Sequence, residues 1–258
     1  MRYTVWTHLL DLAQNEDELR RVIELAPKWK DVNRDKKDKG GLGAQWGEMV
    51  VTRAESLTCP QVALDMFSDH AKYQVPLSLP AARHLLHALH TKHSLEQVMT
   101  AVALYRVYNL TPIADDLVSL GLVCRALAGK IHPTQPPPAS KSAVPAKPQA
   151  LKTKTLQASK QVFQALIESL RELVSSTDPS LYSISSHART RSLTPKFSER
   201  QERANKGVAA LEKEKTWLKW CLQRIESNLR KTEDLEKINW LTQWRVAAGH
   251  IKTEPATV

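Results

Sequence analysis

Apolar side chains recur every three to four positions through most of residues 3–128, and this is the spacing of successive amphipathic helices. Asn15 with Glu18, and Ser94 with Gln97, form capping-box patterns that each predict the start of a helix. Pro27 predicts the end of the second helix. The apolar stripe of the first helix comprises Tyr3, Trp6, Leu9, Leu10 and Ala13, and that of the second comprises Leu19, Val22, Ile23 and Leu25.

The middle of the chain repeats with a period of 35 residues, which predicts two and a half helix-turn-helix units. Tyr73-Gln-Val and Tyr108-Asn-Leu lie at this offset, and each is followed closely by a proline. Cys59-Pro60 and Ser94-Leu95 lie at the same offset. Accidental matches among short helices are the alternative explanation. The preceding helices align Val50, Val51 and Ala54 with Leu85, Leu86 and Leu89, and these with Leu120, Gly121 and Cys124.

This period, with Tyr-Gln-Val-Pro and Tyr-Asn-Leu-Thr-Pro turns between units, resembles the pentatricopeptide repeat (PPR) over about residues 42–130. The resemblance implies an all-α fold, an α-solenoid of helical hairpins of the PPR or TPR type. Repeats of that family read RNA bases through a small polar residue early in the first helix and an Asn or Asp near the end of the unit. Ser78 and Arg83 lie nearest those places here, so a packing scaffold is expected rather than a reader of one base per repeat.

A proline-rich segment separates the two halves of the chain. Because proline removes backbone donors and favours extended geometry, residues 131–155 are predicted to be a flexible Pro/Lys-rich linker. The predicted domains are therefore a helical-repeat domain at 1–130, this linker, and a C-terminal helical or coiled-coil region at 156–250. The prolines are Pro133, Pro136, Pro137, Pro138, Pro145 and Pro148.

The C-terminal region is predicted to contain three helices. Leu156–Val174 is helical by pattern, Ser198 with Gln201 predicts the start of a long helix, and Thr232 can cap the last one. The spacing of the leucines in the long helix is typical of a short coiled-coil seam, and the last two helices are predicted to pair as a helical hairpin. The seam comprises Leu211, Leu218, Leu222, Ile225 and Leu229.

Composition agrees with a helical globular protein. Hydrophobic residues make up 42% of the 258, and 8 glycines against 14 prolines leave few residues for tight hairpin turns. No apolar run approaches the roughly 20 residues of a membrane-spanning helix, so no membrane span is expected. Cys59, Cys124 and Cys221 are widely spaced without a C-x-x-C pair, which disfavours disulfides and zinc and favours a reducing compartment.

The net charge of +10 lies mainly in the C-terminal half, since residues 1–130 carry +1 and residues 131–258 carry +9. Such an excess favours a polyanionic partner, and three basic segments are predicted to contact rRNA or another RNA. For the first segment, where acidic residues alternate with basic ones around Trp29, a solvated turn is the alternative. The candidates are Lys28, Lys30, Arg34, Lys36, Lys37, Lys39, Lys141, Lys147, Lys152, Lys154, Lys160, Arg189, Arg191, Lys196, Arg200 and Arg203.

Four histidines, His84, His87, His90 and His93, recur at every third position. Steps of three residues drift by about 60° around a helix, so only neighbours can converge on one point. The favoured interpretation is a polar helix face. A contact with an RNA or protein groove and a metal site are the alternatives.

Catalytic motifs are not recognisable in the sequence. The glycines at 40, 41 and 43 follow a basic loop and lack a P-loop pattern. Asp115 and Asp116 precede a predicted helix, whose positive dipole end favours carboxylates. The chain is therefore expected to be non-catalytic, without a cofactor, metal or small-molecule substrate.

Four of the seven tryptophans, Trp217, Trp220, Trp240 and Trp244, fall in the last two predicted helices. Burial between the two helices is one explanation for them. Docking to a partner protein is the other, because aromatic residues dominate interface hot spots.

Helical repeats, a Pro/Lys linker and a terminal helical pair together resemble the PPR-containing small-subunit proteins of mitochondrial ribosomes. The points of similarity are Leu64–Leu89 and Leu229–Arg245. The resemblance implies a non-catalytic subunit of the mitochondrial matrix held by rRNA and neighbouring proteins, although Met1–Gln14 holds no readable transit peptide. The alternative is a protein-interaction adaptor, or a mitochondrial assembly or translation factor, acting through the C-terminal coiled coil.

Overall fold

A computed structural model of the chain describes residues 3–28, 42–131, 149–184, 199–231 and 235–251. Regular secondary structure in these ranges is helical, which confirms the predicted all-α class. None of the helices in these ranges is both long and apolar enough to cross a membrane. The chain divides into two compact units, Met1–Ile113 and Ala114–Val258.

The first unit is built from short helices. Helices α1, α3 and α6 contact one another in succession, and so do α2, α4 and α7. Members of the consecutive pairs α1/α2, α3/α4 and α6/α7 also contact each other. The described helices are α1 (Tyr3–Leu12), α2 (Glu16–Glu24), α3 (Ala44–Ser56), α4 (Pro60–Ser68), α5 (His70–Tyr73), α6 (Leu79–Leu89) and α7 (Leu95–Val107).

Helix starts in the first unit follow the 35-residue offset read from the sequence. Helix α3 begins at Ala44 and α6 at Leu79, while α4 begins at Pro60 and α7 at Leu95. Gln74 and Asn109, which also lie at this offset, both adopt left-handed backbone conformations with φ of 51° and 52°. The aligned apolar positions of α3 and α6 are buried, at 0–1% exposure. The same local geometry therefore recurs at equivalent positions of the two copies.

The predicted capping box at Ser94 forms completely, whereas at Asn15 the side-chain cap forms but the Glu18 carboxylate accepts from the backbone N–H of Gln14. The Asn15 side chain accepts a hydrogen bond of 2.9 Å from the backbone N–H of Glu18. The Ser94 hydroxyl accepts one from the backbone N–H of Gln97, whose side chain accepts one in return from the backbone N–H of Ser94. These bonds satisfy donors that the first turn of a helix leaves free, and they fix the starts of α2 and α7.

A close approach between α3 and α4 organises the core of the first unit. The Phe67 ring is fully buried, and a Cβ on Gly47 would lie 3.2 Å from its Cζ and 3.1 Å from the carbonyl oxygen of Pro76. The Tyr108 ring meets Phe67 edge-on at 6.0 Å, and the Tyr108 hydroxyl donates a hydrogen bond of 2.9 Å to the Phe67 carbonyl. The absence of a side chain at residue 47 therefore makes room for the aromatic ring.

The second unit contains longer helices. Its described helices are α8 (Leu117–Ile131), α9 (Gln149–Ser176), α10 (Glu199–Leu229) and α11 (Leu235–Ala247), with a 3₁₀ turn at Pro179–Tyr182. Helix α8 contacts α9 and α10, and α11 contacts the same two helices. The four helices thus enclose one core.

The division between the units differs from the expected boundary at residue 130. Helix α8, which was assigned to the repeat domain, packs with the C-terminal helices because nearly all of its side chains are apolar and buried. Helix α9 begins at Gln149, so residues 149–155 of the expected linker are helical. Residues 132–148 lie outside the described part of the chain.

The leucine pattern of α10 marks a buried face over half of the helix. Leu218, Leu222, Ile225 and Leu229 are at most 3% exposed, and they face a core that includes α8 as well as α11. Leu211 is 56% exposed, so it does not belong to the face that is buried within the chain. The helices that cover the second half of α10 do not cover Leu211.

A buried carboxylate joins α10 to α11. Glu226 accepts hydrogen bonds from the guanidinium groups of Arg230 and Arg245 and from the hydroxyl of Thr242. Glu226 and Arg245 have side chains only 3% and 7% exposed. Burial lowers the pKa of Arg245 from its ordinary value, because it disfavours the charged form.

His250 closes the end of the second unit. Its Nε2–H donates to the carbonyl oxygen of Tyr182 at 3.1 Å, its ring meets Trp244 edge-on at 5.7 Å, and its Nδ1 is buried without a hydrogen-bond partner. Burial lowers the pKa of His250 below 6.5, and the nearby charges of Lys219 and Arg245 lower it further. The folded protein therefore favours the neutral imidazole.

We expect the free energy of unfolding to fall as the pH drops below about 6.5, because the unfolded chain then binds a proton that the folded chain excludes. The contribution of His250 to stability is fully present above the pKa of the unfolded chain. It is lost progressively as the pH falls from there to the lower pKa of the folded chain. Urea unfolding followed by tryptophan fluorescence, repeated across this pH range, measures the effect. His250→Gln should remove part of the slope, with the exposed His8→Gln as control. An unchanged slope in His250→Gln would contradict this assignment.

Candidate nucleic-acid interface

The predicted RNA-contact residues are placed by the structure only in part. Lys28 and Lys160 are exposed, on the first unit and on α9 respectively. Lys152 and Lys154 belong to α9, and Arg200 and Arg203 to α10. The remaining candidates lie outside the described residues: Lys30, Arg34, Lys36, Lys37, Lys39, Lys141, Lys147, Arg189, Arg191 and Lys196.

The residues nearest the base-reading positions have structural roles in the first unit. The Ser78 hydroxyl accepts a hydrogen bond from the backbone N–H of Ala81 and so caps α6. It also donates one of 2.6 Å to the Glu48 carboxylate. Arg83 has an interaction partner as well. Ser78 is thus engaged within the unit.

The histidine row on α6 is connected to a carboxylate of α3. His84 Nε2 lies 2.5 Å and His87 Nδ1 3.0 Å from the two oxygens of Glu55, while His90 Nδ1 lies 2.6 Å from the His87 carbonyl. Glu55 thus bridges two histidines across neighbouring helices. Over the described ranges, no group of three or more His, Cys, Asp or Glu side chains is arranged to hold a metal ion.

Asp116 and the cysteines have local roles as well. Asp116 is buried and accepts hydrogen bonds from the backbone N–H and the hydroxyl of Ser119 at the start of α8. The three cysteines are free and buried. Burial raises the pKa of Cys221 to about 12, so its reactive thiolate is scarce at neutral pH.

Two of the candidate partner-contact tryptophans are buried within the second unit. Trp244 is 7% exposed, and its indole N–H donates a hydrogen bond of 3.2 Å to the Thr177 carbonyl. Trp217 is 8% exposed. Trp220 and Trp240 are half-buried and retain surface for a ligand or partner. Trp217 and Trp244 are therefore buried within the second unit, and the hydrogen-bond partner of Trp244 lies at the end of α9 rather than in the other helix of the predicted pair.

Basic side chains lie over the tryptophans of α10. The Lys213 ammonium is 5.1 Å from the Trp217 ring centroid. The guanidinium carbons of Arg125, on α8, and Arg224 are 5.3 Å and 5.9 Å from that of Trp220. Cations held over aromatic rings at such distances are attracted by the negative ring faces.

This cation–indole row was not recognised from the sequence. Lys213, Trp217, Trp220 and Arg224 are spaced four, three and four residues apart, which places them on one face of α10. That spacing was a readable signal. The contribution of Arg125 was not readable, because it comes from another helix distant in sequence. Cations interleaved with aromatic side chains are the chemistry of surfaces that bind RNA phosphates and bases.

No family model matches the chain, and neither does a curated protein or a solved structure.

Proposed function

We propose that the chain is a non-catalytic, RNA-binding structural subunit of a mitochondrial ribonucleoprotein, namely the small subunit of the mitochondrial ribosome. In this proposal the first unit is an α-solenoid of PPR-like helical hairpins that serves as a scaffold. The second unit and the basic segments contact RNA. The mitochondrial matrix enters the proposal through the resemblance of the sequence to PPR-containing small-subunit proteins.

The solenoid assignment is supported by the contacts of the first unit. First helices of consecutive pairs contact each other, second helices do the same, and equivalent helices begin 35 residues apart. Stacking of successive helical hairpins produces this pattern of neighbours. An engaged Ser78 agrees with a scaffold whose individual repeats do not read bases.

The observation that carries RNA binding is the cation–indole row of α10. Three basic side chains lie within 6 Å of two tryptophan rings. Two of them, Lys213 and Arg224, belong to residues 131–258, which carry +9 of the net charge of +10. RNA binding without sequence specificity depends on basic side chains that neutralise phosphates and on aromatic side chains that stack with bases.

Sedimentation of the tagged full chain from mitochondria through a sucrose gradient tests this proposal. We expect the protein to migrate with the small ribosomal subunit and to move to the top of the gradient after RNase treatment. Lys152→Glu, Lys154→Glu and Lys160→Glu together should weaken the association without lowering the melting temperature, because they reverse charge in a segment without carboxylates. The control replaces the same three residues by arginine, Lys152→Arg, Lys154→Arg and Lys160→Arg. It keeps the positive charge, so the protein should remain associated with the small ribosomal subunit. Migration as a free protein in untreated extracts would contradict the proposal.

An adaptor or assembly factor is the second candidate, favoured by the apolar surface of α10. Val208 and Leu211 are 64% and 56% exposed on the part of α10 that precedes its buried face. Exposed apolar side chains at helical spacing suit a partner helix. Under this alternative the same gradient would show a fast-sedimenting complex that RNase leaves intact.

A further inference from the structure

Two arginines of the second unit share one indole ring. Arg125 and Arg224 lie 5.3 Å and 5.9 Å from the Trp220 ring centroid, measured from their guanidinium carbons. Trp220 and Arg224 are four residues apart on α10 and therefore face the same side. Trp220 is half-buried and Arg224 is exposed, so the cluster opens to solvent.

Close packing of α8 against α10 holds Arg125 in position. A Cβ on Gly121 would lie 3.2 Å from a methyl carbon of Leu218, so the helices approach tightly one turn before Arg125. One turn after it, a Cβ on Gly129 would lie 3.0 Å from the Arg125 Nη1. The Arg125 guanidinium thus lies along α8 over Gly129, where any side chain would crowd it.

The positive charge of this cluster is not compensated within the described part of the chain. Neither guanidinium forms an ion pair with a described carboxylate, and the buried Nε of Arg125 has no hydrogen-bond partner. The pKa of Arg125 is lowered, chiefly by burial and also by repulsion from Arg224. Two guanidinium groups without a counter-ion among the described carboxylates favour an anionic ligand on the exposed side of the cluster.

We propose that Arg125, Trp220 and Arg224 form a binding site for one phosphate group of RNA, an inference that rests on the proposed function. Guanidinium groups offer planar pairs of donors that match phosphate oxygens, and two of them can neutralise a phosphodiester from two directions. The charge of +9 on residues 131–258 favours a polyphosphate over an isolated carboxylate. An acidic protein segment is the competing occupant that the experiment excludes.

Fluorescence anisotropy of a labelled single-stranded RNA of about 12 nucleotides, titrated with the full chain, tests the site. Arg224→Gln should weaken binding about tenfold, the equivalent of a charge-assisted hydrogen bond. It should also reduce the slope of log affinity against log salt by about 0.7, the value for one single-strand phosphate contact. Arg224→Lys keeps the charge without the planar fork and should recover part of the affinity.

Arg171→Gln is the matched control, because it removes the same charge from an exposed position on α9. We expect it to leave affinity and slope near those of the unchanged chain. Equal losses in the two glutamine variants would overturn the site while leaving RNA binding intact. Absence of RNA binding by the unchanged chain at any salt concentration would instead overturn the proposed function and the site together. Binding of poly-glutamate that also requires Arg224 would assign the cluster to an acidic protein.

Arg125→Gln is the second variant for the same titration. Its position is half-buried, so thermal unfolding by circular dichroism must first establish that it folds. Arg224 is exposed, so its variants should have the same melting temperature as the unchanged chain. The proposal can thus be decided on Arg224 alone if Arg125→Gln does not fold.

Discussion

Glu226→Gln is expected to lower the free energy of unfolding of the second unit by about 3–5 kcal/mol. The substitution keeps the shape of the side chain but leaves the Arg245 guanidinium buried without its counter-charge. Glu226 and Arg245 are 3% and 7% exposed, so water compensates neither. Equilibrium denaturation in urea, followed by the fluorescence of the tryptophans of the second unit, measures the loss.

Two further variants separate the buried pair from its exposed neighbour. Arg230 also donates to Glu226, but its side chain is 51% exposed, so Arg230→Ala should cost only about 0–1 kcal/mol. Replacing both members of the buried pair, Glu226→Leu with Arg245→Met, should recover most of the stability because no uncompensated charge remains. A loss below about 1 kcal/mol in Glu226→Gln would mean that the carboxylate is not the counter-ion of Arg245 in solution.

Local signals in the sequence predicted much of the helical framework. The N-cap at Asn15, the capping box at Ser94 and the proline at the start of α4 could be predicted because each depends on residues within one turn of each other. The 35-residue offset predicted the equivalent helix starts and the turns that contain Gln74 and Asn109. These features need no knowledge of distant parts of the chain.

Partners between helices could not be read in the same way. Helix α8 is apolar around nearly its whole circumference, so its pattern defined no single face and did not indicate that α9 and α10 would cover it. The exposure of Leu211 was missed for the related reason that a stripe does not report where its covering helix ends. Burial depends on pairings that only the folded chain specifies.

The candidate site shows the same limit. Runs of basic residues can be recognised from composition alone. RNA contacts were therefore predicted in those segments, which lie largely outside the described residues. The cluster with defined geometry instead combines Arg125 of α8 with Trp220 and Arg224 of α10. Trp220 was noticed in the sequence, and its spacing of four residues from Arg224 on the same helix could have been recognised there. Arg125 joins the cluster only through the packing of α8 against α10, which the sequence does not indicate.

Phe67→Ala should destabilise the first unit by about 3–5 kcal/mol, since the ring is fully buried and its removal leaves a cavity between α3 and α4. The change also removes the edge-on contact with Tyr108, whose hydroxyl bonds the backbone of the same residue. Val107→Ala is the control: its side chain is 63% exposed, and its loss should stay within about 0.5 kcal/mol. Urea unfolding followed by far-ultraviolet circular dichroism measures both. If the two variants unfolded at the same urea concentration, the ring could not occupy the space that Gly47 leaves open, and the close approach of α3 to α4 would be wrong.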